Sequence, residues 1–129
     1  MKKIIFASIL FASTAFADTT LLNCVVPSKT NSVKAVITLG DDQSADFLTV
    51  NLTEQKGTSQ FYNQMDKGEV GKSMDQGFLN TLAMTEQTGQ TPDGVIVNTG
   101  FLALSKGQDG SFSGFLTAKG NIYPLNCAK

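Results

Sequence analysis

Apolar residues between positions 21 and 127 recur at every second position within short runs, and polar clusters rich in Gly, Asp, Asn and Lys separate these runs. This alternation places apolar side chains on one face of a β-strand and polar side chains on the other. In the second run, for example, Val33, Ala35, Ile37 and Leu39 face one way. The pattern predicts eight strands, at residues 21–26, 33–39, 47–53, 59–65, 78–85, 95–104, 111–118 and 122–127.

The connections between these runs carry residues that are typical of turns. One short glycine-containing cluster follows the second strand at 40–42, and another connects the sixth strand to the seventh at 106–110. The longest connection, 66–77, is polar and rich in glycine, so we expect a loop with at most one irregular turn. A helix over 74–84 is the competing interpretation for the start of the fifth strand.

Residues 1–17 have the features of a cleaved signal peptide. Lys2 and Lys3 precede an apolar run at 4–12, and 15–17 reads Ala-Phe-Ala, the small-x-small pattern of a cleavage site. The run is shorter than the roughly 20 residues needed to span a bilayer. We therefore predict that the protein is exported to the periplasm or the extracellular space. Residues 18–129 are predicted to form a single β domain without a transmembrane segment.

Cys24 and Cys127 are the only two cysteines, and both lie in the part of the chain that follows the predicted cleavage site. Outside the cytoplasm disulfides persist, so we expect these cysteines to be joined to each other. Such a bond requires Cα atoms within about 7 Å. The first and last strands of the domain should therefore meet.

Eight antiparallel strands whose first and last members are linked indicate an all-β fold, a small up-and-down barrel. A two-sheet β-sandwich is the alternative. An eight-stranded barrel is just wide enough to be filled by side chains or to hold one small ligand. We expect a packed interior, filled by the larger residues Phe47, Phe61, Tyr62, Phe78, Phe101, Phe112, Phe115 and Tyr123.

The tripeptide Gly-Phe-Leu occurs three times, beginning at Gly77, Gly100 and Gly114. We expect the glycines to permit a bulge or bend in a curved sheet, with Phe and Leu on opposite faces. In the competing interpretation, three exposed phenylalanines form a docking patch.

Composition argues against several functions. The chain has no His, which removes the usual general base and the commonest metal ligand, and no cysteine is expected to be free. A Ser-Lys dyad, or a carboxylate pair such as Asp66 and Glu69, remains for an enzyme with a Lys or carboxylate base, but we expect neither enzymatic activity nor a cofactor. The acidic run 41–46 lacks the glycine and glutamate of a calcium loop, so we expect a solvated turn.

Charge also limits the partners. Removal of 1–17 leaves eight lysines, no arginine and 11 acidic residues, a net charge of −3. A mildly acidic domain without arginine is a poor match for nucleic acid.

We interpret the domain as a non-enzymatic binding or inhibitor-like protein that recognises a protein or another cell-envelope partner through its loops. The candidate binding residues lie in the longest connection: Asp66, Lys67, Glu69, Lys72, Met74 and Asp75. A carrier of a small apolar ligand inside the barrel is the alternative.

In general plan, a small exported β domain with cysteines near both ends, the chain resembles the periplasmic lysozyme inhibitors. That family carries a serine-, glycine- and tyrosine-containing loop followed by a tryptophan-rich stretch. This chain has no tryptophan, so the resemblance assigns none of its residues.

Overall fold

The computed structural model describes residues 18–85 and 99–129. The predicted signal peptide at 1–17 and the beginning of the sixth predicted strand, at 95–98, lie outside these residues. The elements are β1 (Asp18–Val25), a 3-10 helix (Pro27–Lys29), β2 (Lys34–Asp41), β3 (Ala45–Glu54), β4 (Gly57–Asp66), α1 (Glu69–Asp75), β5 (Phe78–Thr85), β6 (Thr99–Lys106), β7 (Phe112–Ala118) and β8 (Asn121–Ala128).

The eight strands form a nearly closed barrel in which each strand pairs antiparallel with its neighbours in the sequence. The predicted all-β barrel is confirmed, and the sandwich alternative is wrong. Among the described residues, β4 and β5 pair through Phe61 with Thr85 and Tyr62 with Met84. The helix α1 contacts both of these strands.

Closure occurs between β1 and β8, through three residue pairs. Cys24 pairs with Cys127 at the centre of this short ladder, and a disulfide joins them with a Cα–Cα distance of 4.0 Å. The predicted disulfide is confirmed. It reinforces the seam at which the first and last strands hold the barrel closed.

Side chains from every strand fill the interior. The largest fully buried ones are Phe61, Phe112, Leu22, Ile37, Leu48, Leu52, Leu79, Leu102, Leu104, Leu116, Leu125 and Val50. Of the aromatic residues expected inside, Phe61, Phe112 and Tyr123 are buried, whereas Phe78, Phe101 and Phe115 are exposed. The expectation for these three was wrong because they lie on the outer face of their strands, beside the buried Leu79, Leu102 and Leu116.

The longest connection is not the loop that its composition predicts. Residues Glu69–Asp75 form α1, with Val70 and Ser73 buried and Met74 packed against the core. The helix forms because Val70 and Met74, four residues apart, lie on one helical face that covers an end of the barrel. The competing helix at 74–84 is also wrong, since β5 begins at Phe78.

The Gly-Phe-Leu repeats place Leu79, Leu102 and Leu116 inside and the preceding phenylalanines outside. The expected bulge is absent at Gly114, which lies in regular register between Leu104 and Leu125. A Cβ at this position would overlap the carbonyl group of Ala103 on β6. Gly114 is therefore required for close approach of two strands, not for a bend.

Loss of the disulfide should weaken the whole barrel. The bond closes a loop of 103 residues, so the paired substitution Cys24→Ala and Cys127→Ala should lower the free energy of unfolding by about 4 kcal/mol. Urea denaturation of the purified protein measures this change. Equal stability of the two forms would show that the β1–β8 hydrogen bonds suffice for closure.

Two glycine substitutions should have opposite effects. Gly114→Ala should destabilise the fold by more than about 2 kcal/mol because strand backbones must move apart. Gly71→Ala should stabilise it by roughly 0.5–1 kcal/mol, since Gly71 lies in α1 with open space around its Cα. Thermal unfolding of both variants tests this. If Gly114→Ala left the thermal stability unchanged, this would contradict the close approach of β6 and β7 at Gly114.

Candidate functional site

Three surfaces could carry a function: the predicted binding segment around α1, a polar cleft at the other end of the barrel, and an apolar region on its outer side.

The segment around α1 is held to the barrel by Asp46 of β3. The Asp46 carboxylate is buried; its Oδ2 accepts a hydrogen bond of 3.1 Å from the backbone N–H of Val70, and its Oδ1 lies 3.9 Å from Lys67 Nζ. Asp46 thus satisfies a backbone donor in the first turn of α1.

The six candidate residues of this segment do not share one surface. Asp66, Lys67, Glu69, Lys72 and Asp75 are exposed around the helix, whereas Met74 packs toward the core. Lys67 also donates to the carbonyl oxygen of Asp42 at 2.6 Å, which ties it to the β2–β3 turn. The segment therefore closes one end of the barrel and presents mixed charges to solvent. Its binding role stays a prediction.

In the acidic turn at 41–46, the carboxylates of Asp42 and Asp46 each have partners within the protein. Asp42 Oδ1 accepts hydrogen bonds from the hydroxyl and the backbone N–H of Ser44, at 2.6 and 2.7 Å. The hydroxyl bond, followed by the backbone bond, lowers the pKa of Asp42. Asp46 turns inward to α1, so the two carboxylates do not converge. Within residues 18–85 and 99–129, no group of three or more potential metal ligands occurs.

At the opposite end, a cleft of about 390 Å³ opens between the 3-10 helix, the β3–β4 turn and the β7–β8 turn. Its lining consists of Lys29, Ser32, Val33, Glu54, Gln55, Lys56, Lys119, Asn121 and Tyr123. Glu54 organises this group: one carboxylate oxygen pairs with Lys119 Nζ at 2.9 Å, and the other accepts the Tyr123 hydroxyl at 3.1 Å. The network links β3 to the β7–β8 hairpin across the mouth of the barrel.

Lys119 takes an unusual backbone conformation in this network. Its φ of 56° lies in the left-handed region, and Gly120 follows with a φ of 77°. These positive values in a two-residue hairpin between Ala118 and Asn121 fit the twist of the flanking strands. The Lys119 hydrogen bond to Glu54 lowers the pKa of Glu54 and raises the pKa of Lys119. The cleft is thus built around a structural ion pair.

The third surface lies on the outer side of β5–β8, where large apolar side chains remain in water. Leu82 is 56% exposed, Phe101 42%, Phe115 38% and Ile122 70%. Large apolar residues are normally buried, and a contiguous exposed group of them marks an interaction site. We call the following six residues the apolar wall: Leu82, Phe101, Ala103, Phe115, Ile122 and Pro124.

Strand register places the residues of the apolar wall in two adjacent rows. One row across the four strands runs from Leu82 to Phe101, then Thr117, then Ile122. The next row runs from Asn80 to Ala103, Phe115 and Pro124. The Phe101 and Phe115 rings, on neighbouring strands, have centroids 6.4 Å apart. Phe78 lies one row further, opposite Ser105.

Charge is distributed unequally over the barrel. Strands β5–β8 contain a single charged residue, Lys106 at the end of β6. Strands β1–β4 contain six, namely Asp18, Lys34, Asp41, Asp46, Glu54 and Asp66, of which Asp46 is buried. The half of the barrel that exposes large apolar side chains therefore also lacks the charges that usually keep a surface solvated.

The apolar wall was only partly anticipated. Its two aromatic residues, Phe101 and Phe115, belong to the repeated tripeptides for which an exposed patch was the competing interpretation. No sequence pattern places Leu82, Ile122 and Pro124 near these phenylalanines, because their proximity follows from the pairing of strands β5 to β8.

Comparisons with family models, curated proteins and solved structures found no match to this chain. In the described ranges, no helix is long and apolar enough to span a membrane. The functional assignment of this chain therefore rests on the geometry of its described residues.

Acid should weaken the Glu54 network. The pKa of Glu54 is lower in the folded protein than its ordinary value of 4.5, so its carboxylate stabilises the fold above pH 4.5, and this contribution is lost as pH falls below it. The raised pKa of Lys119 implies a second loss as pH rises above 10.5.

Glu54→Gln should lower the free energy of unfolding by about 1 kcal/mol at neutral pH and reduce its dependence on pH below 4.5. Asp66→Asn, at an exposed carboxylate, serves as the control. Denaturant unfolding across the pH range provides the measurement. An unchanged acid dependence in Glu54→Gln would rule out this stabilising role.

Proposed function

We propose that the chain is an exported, non-enzymatic binding domain whose binding surface is the apolar wall. The observation that carries this proposal is the exposure of Leu82, Phe101, Phe115 and Ile122 in two adjacent rows on a half-barrel whose strands are nearly free of charge. The partner is a protein that presents an uncharged, apolar surface of its own.

The area of the apolar wall fits a protein partner. A large apolar side chain offers about 150–250 Å² when fully exposed, so the four main residues leave roughly 400 Å² of apolar surface in water. A standard interface buries about 800 Å² on each partner, somewhat more than half of it apolar. The apolar wall supplies most of that apolar area.

Export is supported by the disulfide and by the features of residues 1–17. A non-enzymatic role is supported by the exposure of Asp66 and Glu69, the carboxylate pair considered for catalysis, since exposed carboxylates lack the environment that tunes an acid or base. The filled interior favours this role over a carrier of an apolar ligand, because fully buried leucines occupy the space.

A photoreactive amino acid placed at Leu82 tests the proposal in the cells that produce the protein. We expect a covalent adduct of discrete protein mass from this position and none from Gln60, which is exposed on β4. Adding Ile122→Lys, at the other end of the same row on β8, should abolish the adduct, because an ammonium group would have to be desolvated in the interface.

Adducts of equal yield from Leu82 and Gln60, lipid adducts alone, or no adduct at Leu82 would each contradict the proposal. An adduct with a second copy of the chain or with another protein would support it.

A further inference from the structure

We infer that the partner of the apolar wall is a second copy of this chain, so that two barrels pack wall to wall about a two-fold axis. This inference rests on the proposed function and identifies the partner at the same surface. In such a symmetric interface, a surface meets itself, and each residue near the axis faces the same region of the other copy.

The distribution of charge favours a second copy over an unrelated protein. A charged side chain near a two-fold axis faces its own like charge, which is costly. The rows that form the apolar wall contain Leu82, Phe101, Thr117 and Ile122, then Asn80, Ala103, Phe115 and Pro124, none of which is charged. Interfaces between different proteins are free to use complementary charges, whereas homodimer interfaces are more apolar.

The edge of β8 favours face-to-face packing over pairing of strands. β1 pairs with β8 only at Asn126, Cys127 and Ala128, so the first half of β8 extends past the end of β1 at Val25. Pro124 lies in that first half and has no backbone N–H to offer a new strand. A second copy can therefore bury the apolar wall more readily than it can extend the sheet.

The area is also sufficient for a dimer. Both copies contribute the same apolar wall, and the surrounding polar residues Asn80, Thr99 and Thr117 can form the rim that interfaces of standard size possess. Each substitution in the apolar wall is present twice in the dimer, which doubles its effect on association.

Sedimentation equilibrium of the purified exported protein, from low micromolar to several hundred micromolar, measures the association. We expect a monomer–dimer equilibrium whose dissociation constant rises at least ~30-fold in the variant Leu82→Ser with Ile122→Ser. The control Thr58→Ser with Gln60→Ser, exposed on β4, should associate as the unaltered protein does. High salt should not weaken the dimer, because no charges meet in it.

Circular dichroism and thermal unfolding should show both variants to be folded, since all four substituted residues are exposed. A protein that stays monomeric throughout, or a dimer that the substitutions at Leu82 and Ile122 leave unchanged, would overturn the inference. If the protein is monomeric while the photoreactive residue at Leu82 captures a different protein, the proposed function stands and the inference fails. If neither association occurs, both fail.

Discussion

Closure of the sheet between β1 and β8 is the constraint on which the rest of the structure depends. Only three residue pairs join these strands, and the Cys24–Cys127 disulfide lies in the middle pair. If this seam opened, both strands would become unpaired edges and the leucine-rich interior would be exposed to water. The covalent bond compensates for the shortness of the ladder, and it does so without contributing to any of the exposed surfaces.

The two ends and the outer side of the barrel then have separate roles. At one end, α1 covers the opening with Val70 and Met74 and is held by the buried Asp46 carboxylate. At the other end, Glu54 links Lys119 and Tyr123 across the mouth. Because charged networks at both ends stabilise the barrel itself, the apolar wall is the surface whose properties the fold does not explain.

Much of the fold could be predicted because its information is local. Alternation within runs such as 33–39 determines strands, and two cysteines can form only one intramolecular pair. The helix could not be predicted as easily. Gly68, Gly71 and Gly77 suggested a loop, yet Gly68 and Gly77 flank α1, and Asp46, more than 20 residues earlier, supplies the hydrogen bond to its first turn.

The apolar wall was harder to predict for a different reason. In β6 both faces of the strand are apolar, so alternation alone does not show whether Phe101 or Leu102 lies inside. In the structure, Leu102 and Leu116 are fully buried inside the barrel, and the phenylalanines that precede them lie outside. Contact between Phe101 and Phe115 then depends on the register of β6 and β7, which no short motif specifies.

The most direct test of a self-associating apolar wall is the accessibility of its methyl groups in solution, measured by NMR with a soluble paramagnetic probe. The account predicts that the Leu82 and Ile122 methyl groups are reached by the probe in dilute samples and become protected as the protein concentration rises, while the Thr58 methyl group stays accessible throughout. Equal accessibility of Leu82 and Ile122 at every concentration would contradict it.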